Sequence, residues 1–244
     1  MPEGTSFINY AHRGACAYAP ENTLSAFYLG VYQDANGIET DVRMTKDGVL
    51  VLFHDSTLAR MAGNHIEGGV CDYTWQELQE FTLTKNGRID KIARLEDLLR
   101  LFSFRDITFA IELKQPGIEA AVADMLRKYN MAGKTVVTSF RFECIRAIKE
   151  YAPEFRVGFL TKTVTDQTLA DLKAIGGYEL CPKADLVTPE SVDAWHREGL
   201  NVRVWGVSST EIMRAVYDAG ADGMTVNFPD KLTAYIREKE ENWR

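Results

Sequence analysis

FINYAHRGACAYAPENTLSAF, residues 7–27, decides the fold. An apolar run closes on His12 and Arg13, Gly14 breaks the chain, and Pro-Glu-Asn-Thr opens a segment with helical spacing. Strand, turn and helix in that order are the unit of a parallel sheet. In an open doubly wound sheet that binds a dinucleotide, the first such turn is glycine-rich so that a pyrophosphate can reach the helix N-terminus. The turn HRGACA (12–17) has a single glycine and two charged side chains instead. A barrel, which carries its reactive groups at the C-terminal ends of its strands, fits that turn better.

The rest of the chain repeats the unit. Candidate strands are 7–12, 37–43, 49–54, 107–114, 135–140, 156–160, 178–182, 201–207 and 223–227. Candidate helices are 22–32, 95–101, 117–129, 142–151, 166–175, 189–198, 209–218 and 229–241. Asn22 or Thr23 can cap the first helix, and Thr188 or Ser191 beside Pro189 fits a helix opening. Gly199 and Gly220 stand where helices stop. About eight such units in roughly 250 residues predict a (β/α)8 barrel, an α/β fold of the TIM type. Residues 55–94 break the rhythm and are too long for an ordinary βα loop. They predict a small insertion after the second βα region, over the barrel mouth, within a single domain spanning 1–244.

Composition narrows the class. The 244 residues are 45% apolar, enough for a full core, and 28 basic against 35 acidic residues give a net charge of -7. That balance argues against a nucleic-acid surface but allows a small anion held by local cations. MPEGTSFINYAHRG lacks the basic start and long apolar run of a signal peptide, and nothing predicts a stable membrane anchor. Cys16, Cys71, Cys144 and Cys181 are scattered, so they read as free thiols in a reducing, cytoplasmic setting. The oligomeric state is left open.

The charges carry the chemistry. Residues i and i+2 of a strand share a face, so GIETDVR sets Glu39 beside Asp41, and FAIELK sets Glu112 beside Lys114. Inward carboxylates on central strands cost several kcal/mol each unless paired or metal-bound. His12 and Arg13 end the first strand, Glu39 and Asp41 the second, His54 the following run, and Glu112 and Lys114 the next. All seven converge on one mouth. Three carboxylates suit a hard divalent cation, Mg2+ or Ca2+. Two histidines suit proton transfer in both directions near neutral pH. Arginine and lysine suit a phosphate. The combination points to phosphoryl transfer.

HRG with PENT and AF, then IETDVRMTKDG, VLFHDSTLAR, IELK and GADGMTVNFPD, resemble the glycerophosphodiester phosphodiesterase family over nearly the whole chain. The resemblance implies a (β/α)8 barrel with a small insertion after the His-Asp motif. It implies metal-dependent hydrolysis of a small-molecule glycerophosphodiester to glycerol 3-phosphate and an alcohol. Carried over by position, Glu39, Asp41 and Glu112 would be metal ligands, His12 and His54 catalytic, and Arg13 and Lys114 phosphate-binding. Trp205, by its own place at the end of a late strand, divides between core packing and a substrate wall. His12 is assigned as base and His54 as acid, an order that the alternation of roles leaves partly conventional.

Two stretches depart from the family. Val226-Asn227 stands where the family often has Thr-Asp, and Trp205 is followed by Gly206, Val207 and Ser208 rather than Thr-Val-Asn. These departures bear on contacts with the glycerol or the alcohol. Bland roles compete at single positions. Glu39 and Asp41 could pair with Arg43 and Lys46, Glu112 could pair with Lys114, and Asp55 could be a ligand, orient His54 or cap the loop. Glu21 and Asn22 divide between capping and support of the site, while His65 and His196 read as plain surface or loop residues. Alternative activities are a lysophospholipase D-type reaction, with Met61, Ile66 and Trp75 as a greasy entrance, and a non-catalytic phosphate-binding barrel.

Overall fold

Short strands that alternate with capped helices fold into a ring. In the computed structural model, which describes residues 7–241, the chain begins with β1 (Ile8–His12), α1 (Leu24–Tyr32), β2 (Gly37–Met44) and β3 (Leu50–Leu52). It continues with α2 (Ala59–Ala62), α3 (Trp75–Leu78), β4 (Leu83–Lys85), β5 (Arg88–Asp90), α4 (Leu95–Phe102) and β6 (Thr108–Leu113). Then come α5 (Glu119–Lys128), β7 (Thr135–Ser139), α6 (Phe142–Tyr151), β8 (Arg156–Thr161), α7 (Asp166–Ala174) and β9 (Glu179–Pro182). The last elements are α8 (Pro189–Arg197), β10 (Asn201–Val207), α9 (Thr210–Asp218), β11 (Gly223–Val226) and α10 (Pro229–Glu241). Residues 1–6, on which the signal-peptide reading rests in part, and the final 242–244 lie outside the described residues.

Eight parallel strands, β1, β2, β6, β7, β8, β9, β10 and β11, form a closed ring, with β1 paired to both β2 and β11. Helices cover its outside. Leu95, Leu98, Leu99 and Phe102 of α4 and Val122, Ala123 and Leu126 of α5 are buried in one continuous core with Ile38, Phe109 and Ile111 of the strands. Each such leucine or phenylalanine contributes about 1.5–3 kcal/mol by leaving water. Thr23 caps α1, its side chain accepting from the Ala26 N–H, and Thr188 caps α8 ahead of Pro189.

The inside of the ring is polar as well as packed. The Arg203 Nε donates to Glu179 Oε2 at 2.8 Å and its Nη1 donates to Thr225 Oγ1 at 2.9 Å, both deep in the barrel. The same guanidinium lies 5.2 Å from the centroid of the Tyr10 ring. Gly37 makes room for that ring, since a Cβ there would stand 2.7 Å from Tyr10 Cδ1.

The run 49–54, read from sequence as one strand in the series, is not a ring strand. Only Leu50–Leu52 is extended, and it pairs antiparallel with Val42–Met44. The TKDG turn is too short for the dozen or more residues that a parallel crossover needs, so the chain doubles back as a hairpin. After it, residues 53–94 form α2, α3 and the β4–β5 hairpin around their own cluster of Phe53, Leu58, Val70, Leu78, Leu83 and Ile92 with Val51. Asn86 and Gly87 both have positive φ at the β4–β5 turn, the backbone that an Asn-Gly pair favours. This insertion docks on the loop after β1: Asn86 Nδ2 donates to the Ala17 carbonyl at 3.1 Å, and Lys85 donates to the Cys16 carbonyl. Among the described residues no helix is long and apolar enough to cross a membrane.

Candidate active site

Strand register aligns the acidic and basic groups. His12 is opposite Glu39 across β1 and β2, and Asp41 is opposite Glu112 across β2 and β6. Asn227 follows Val226, which is opposite Ala11, so it lies beside His12. His54 reaches the same place from the hairpin, because the Phe53 N–H donates to the Asp41 carbonyl at 3.0 Å. Arg43 holds the His54 carbonyl through Nε at 3.2 Å and Nη2 at 2.8 Å, rather than pairing with Glu39 or Asp41. His12, Arg13, Glu39, His54, Glu112 and Trp205 line one cavity of about 280 Å3 at the C-terminal mouth.

The turn HRG is strained in favour of the site. Arg13 has φ of 51°, a conformation that costs a side chain about 1–2 kcal/mol, and Gly14 follows at 81°. A Cβ on Gly14 would stand 2.4 Å from the Ala26 carbonyl carbon. The resulting turn aims the Arg13 N–H at Glu39 Oε2, 3.1 Å away, and its Nη1 at Glu21 Oε1, 2.8 Å away. The Arg13 Nε is 3.1 Å from Asp41 Oδ2. Asn22 does not cap the helix: its Nδ2 donates to Asp41 Oδ2 at 2.8 Å and its Oδ1 accepts from the Thr40 hydroxyl at 2.7 Å. Both Glu21 and Asn22 therefore serve the cup and leave capping to Thr23.

Glu39, Asp41 and Glu112 are 4%, 0% and 7% exposed, and each offers an oxygen within 4.8 Å of the others. Burial, then Asp41 and Glu112, lifts the Glu39 carboxyl to about 8. Burial and Asp41 lift Glu112 to about 7, against the pull of Lys114, whose Nζ lies 2.7 Å from Glu112 Oε1. Burial would raise Asp41 too, but Arg13, Lys114, His54 and Asn22 hold it at about 2. Asp41 Oδ1 is buried without a hydrogen-bond partner, although Lys114 Nζ stands 3.5 Å away. Three converging hard oxygen donors, one of them orphaned, fit a divalent cation such as Mg2+ or Ca2+.

The two histidines are held alike at Nδ1, which leaves each Nε2 for the cavity. His12 Nδ1 is 2.5 Å from Asn227 Oδ1, which also accepts from the Cys16 thiol at 3.1 Å. His54 Nδ1 is 2.7 Å from Asp55 Oδ1. Burial and the neighbouring Arg13 lower His12 below its ordinary 6.5, and burial first lowers His54 as well, though their side chains stay 29% and 32% exposed.

Trp205 both packs and lines. Its Nε1 donates to the carbonyls of Thr161 and Cys181, and its ring meets Phe140 edge-on at 4.9 Å between centroids. Gly206 has φ of 78° where the pairing of β10 with β11 shifts register, so glycine after the tryptophan suits a bulge. Met61, Ile66 and Trp75 pack against the insertion's own core. His196, in the last turn of α8 and 29% exposed, has its Nε2 2.8 Å from Asp222 Oδ2 on the loop before β11.

Sequence reasoning passed over Arg60, Phe140, Glu179 and Arg203. Glu179 and Arg203 gave the same signal as Glu39, a charge at an inward strand position. Arg60 gave none beyond its place at the end of VLFHDSTLAR.

A closed parallel barrel with histidines, carboxylates and cations gathered at its C-terminal mouth is the frame of a barrel hydrolase. The family model for the glycerophosphoryl diester phosphodiesterase family matches residues 12–231. A glycerophosphodiester phosphodiesterase of Bacillus altitudinis is 33% identical over 94% of this chain and 98% of its own length. One from Caldanaerobacter subterraneus is 31% identical over 93% of this chain and 97% of its own. The solved structure of glycerophosphodiester phosphodiesterase from Agrobacterium tumefaciens superposes with a TM-score of 0.82 at 26% identity, covering 93% of this chain and 99% of that one. The chain belongs to the glycerophosphoryl diester phosphodiesterase family, and it is a phosphodiester hydrolase.

Proposed function

We propose that this enzyme hydrolyses a small glycerophosphodiester to glycerol 3-phosphate and an alcohol, with His12 and His54 moving protons and Glu39, Asp41 and Glu112 holding a divalent cation. The observation that carries the reading is the meeting of two histidines, one from β1 and one from the hairpin after β2, at a single cavity with the carboxylate cluster. When bound, the cation would supply positive charge against the phosphodiester.

The chain's own groups divide the remaining work. Arg13 and Lys114 offer hydrogen-bond donors to the phosphate. His12 rests against the neutral amide of Asn227, so its Nδ1 keeps the proton and its Nε2 lone pair is free. That tautomer suits a base taking the proton of the glycerol hydroxyl as its oxygen forms the new bond to phosphorus. His54 rests against the Asp55 carboxylate, which pulls back toward the protonated ring against the lowering by burial and makes His54 the better acid of the two. Its Nε2 proton goes to the departing alkoxide oxygen as the old P–O bond breaks. Water then opens the cyclic phosphate with the roles exchanged.

The Trp205–Phe140 wall flanks the cavity and would meet the apolar side of the substrate. A cytoplasmic setting belongs to the same proposal and is supported by four free thiols. The test is glycerol 3-phosphate release from glycerophosphocholine by the unchanged protein, by His12→Ala and His54→Ala, and after chelation. Loss of turnover in all three altered cases, with the melting temperature of the variants retained, is the expected result. Full activity in His54→Ala would remove the proton-transfer assignment, and indifference to chelation would remove the cation.

A further inference from the structure

We propose that Arg60, on the insertion, is a positioning residue that locks the His54 arm to the loop carrying Arg13. The inference rests on the two-histidine reading and assigns to it a side chain from outside the barrel.

The geometry is a chain of ion pairs. Arg60 donates from Nε to Asp55 Oδ2 at 2.5 Å and from Nη2 to Asp55 Oδ1 at 3.0 Å, a two-toothed grip. It also donates from Nη1 to Glu21 Oε2 at 3.1 Å and from Nη2 to Glu21 Oε1 at 2.5 Å. Asp55 in turn accepts from His54 Nδ1, and Glu21 accepts from Arg13. One guanidinium thus joins the acid to the phosphate ligand through two carboxylates.

The two histidines differ in how the fold holds them. His12 ends a ring strand and is set by the register of β1 with β2. His54 follows a three-residue edge strand and stands outside the ring; Arg43 holds its carbonyl, but its ring is held at Nδ1 through Asp55. Glu21, His54 and Asp55 bring ligand atoms within 4.8 Å of one another, the pattern of a small cation site. Arg60 fills the place that a cation would take. A planar fork with five donors can serve both carboxylates at once, whereas the ammonium of lysine is a point charge.

Arg60 is 48% exposed, and ion pairs at such positions contribute little to stability. Its removal should therefore spare the fold and loosen His54. A loosened acid matters most when the departing group needs a proton. The experiment compares Arg60→Ala and Arg60→Lys with the unchanged enzyme on glycerophosphocholine and on the glycerophospho-p-nitrophenyl ester, reading first-step product release in single turnover. The same pair of substrates is run on His54→Ala and on the double variant.

For Arg60→Ala we expect a loss of about tenfold to a hundredfold on the choline ester, the size seen when an orienting partner is removed. The loss on the nitrophenyl ester should be much smaller, because nitrophenolate leaves without a proton. Added guanidinium ion should restore part of the choline activity, and Arg60→Lys should not. In the His54→Ala background the second substitution should cost nothing more. Equal losses on both esters, or no loss on either, would overturn the proposal. A fully active His54→Ala would instead overturn the two-histidine reading, so the two failures are distinguishable.

Discussion

Raising the pH of the metal-stripped protein should destabilise it, and a divalent cation should reverse the effect. Glu39 and Glu112 hold their protons to about 8 and about 7, chiefly because both are buried. A carboxyl raised in the folded state binds its proton more tightly there than in the unfolded chain. Its contribution is complete below the unfolded value of 4.5 and is lost as pH climbs through the folded value. His12 and His54 act in the opposite direction: both are lowered from 6.5, so their contribution grows with pH and is complete above that value. The two trends offset each other below pH 6.5, and only the carboxyls remain above it. From there to pH 8 the two carboxyls together lose about 2–3 kcal/mol, at 1.36 kcal/mol per pH unit. For a chain of this length that is a fall of about 5–10 °C in melting temperature. A bound cation keeps the same oxygens ionised in the folded state, so saturating Mg2+ or Ca2+ should flatten the curve. The assay is thermal unfolding by circular dichroism across this range, in chelator and in excess metal, for the unchanged protein and Glu39→Gln. A melting temperature that holds steady or rises in chelator would refute the reasoning, as would an unchanged slope in Glu39→Gln.

Three further outcomes can be checked. Glu179→Gln should cost about 3–5 kcal/mol in urea unfolding, because it leaves the buried Arg203 guanidinium without its counter-charge; a cost within about 0.5 kcal/mol, the size of an ordinary surface change, would contradict the pairing. Gly14→Ala should lower stability by about 2 kcal/mol or more and cut turnover, since it combines positive φ with a clash against Ala26; a stable, fully active variant would show that the turn can relax. Glycerophosphocholine should be hydrolysed in preference to lysophosphatidylcholine, because Met61, Ile66 and Trp75 are engaged in the insertion's core; the reverse order of kcat/KM would favour the lysophospholipase D reading.

The parts of this protein legible in its sequence are those with a local period. Glu39 and Asp41 announce themselves because a charge at every second position of an otherwise apolar strand has no cheap place to go. The span of α10 follows from Pro229 at one end and a charged run at the other. What fails is information that lives between segments. VLVLFH looks like any buried strand, and only the short TKDG connection reveals that it must fold back. Glu179 and Arg203 sit 24 positions apart and meet because β9 and β10 are neighbours in the ring. The β4–β5 hairpin did carry a signal, Asn86-Gly87, but its strands are three residues each and offer almost no alternation to read.

The division between ring and insertion has a chemical logic. A phosphodiester exchanging one P–O bond for another needs proton transfer on two sides. Parallel strands present their end groups at matched levels, which is how His12, Glu39, Asp41 and Glu112 come to share one rim. β2 extends through Met44 and the chain turns back through β3, so His54 enters beside Asp41 from a separate loop. The cost is that the proposed acid stands off the rigid frame, and the Arg60 network lies where that freedom would be greatest. Substitutions in the insertion should therefore act on the departing alcohol, while substitutions on the strands should act on the cation and the attacking oxygen.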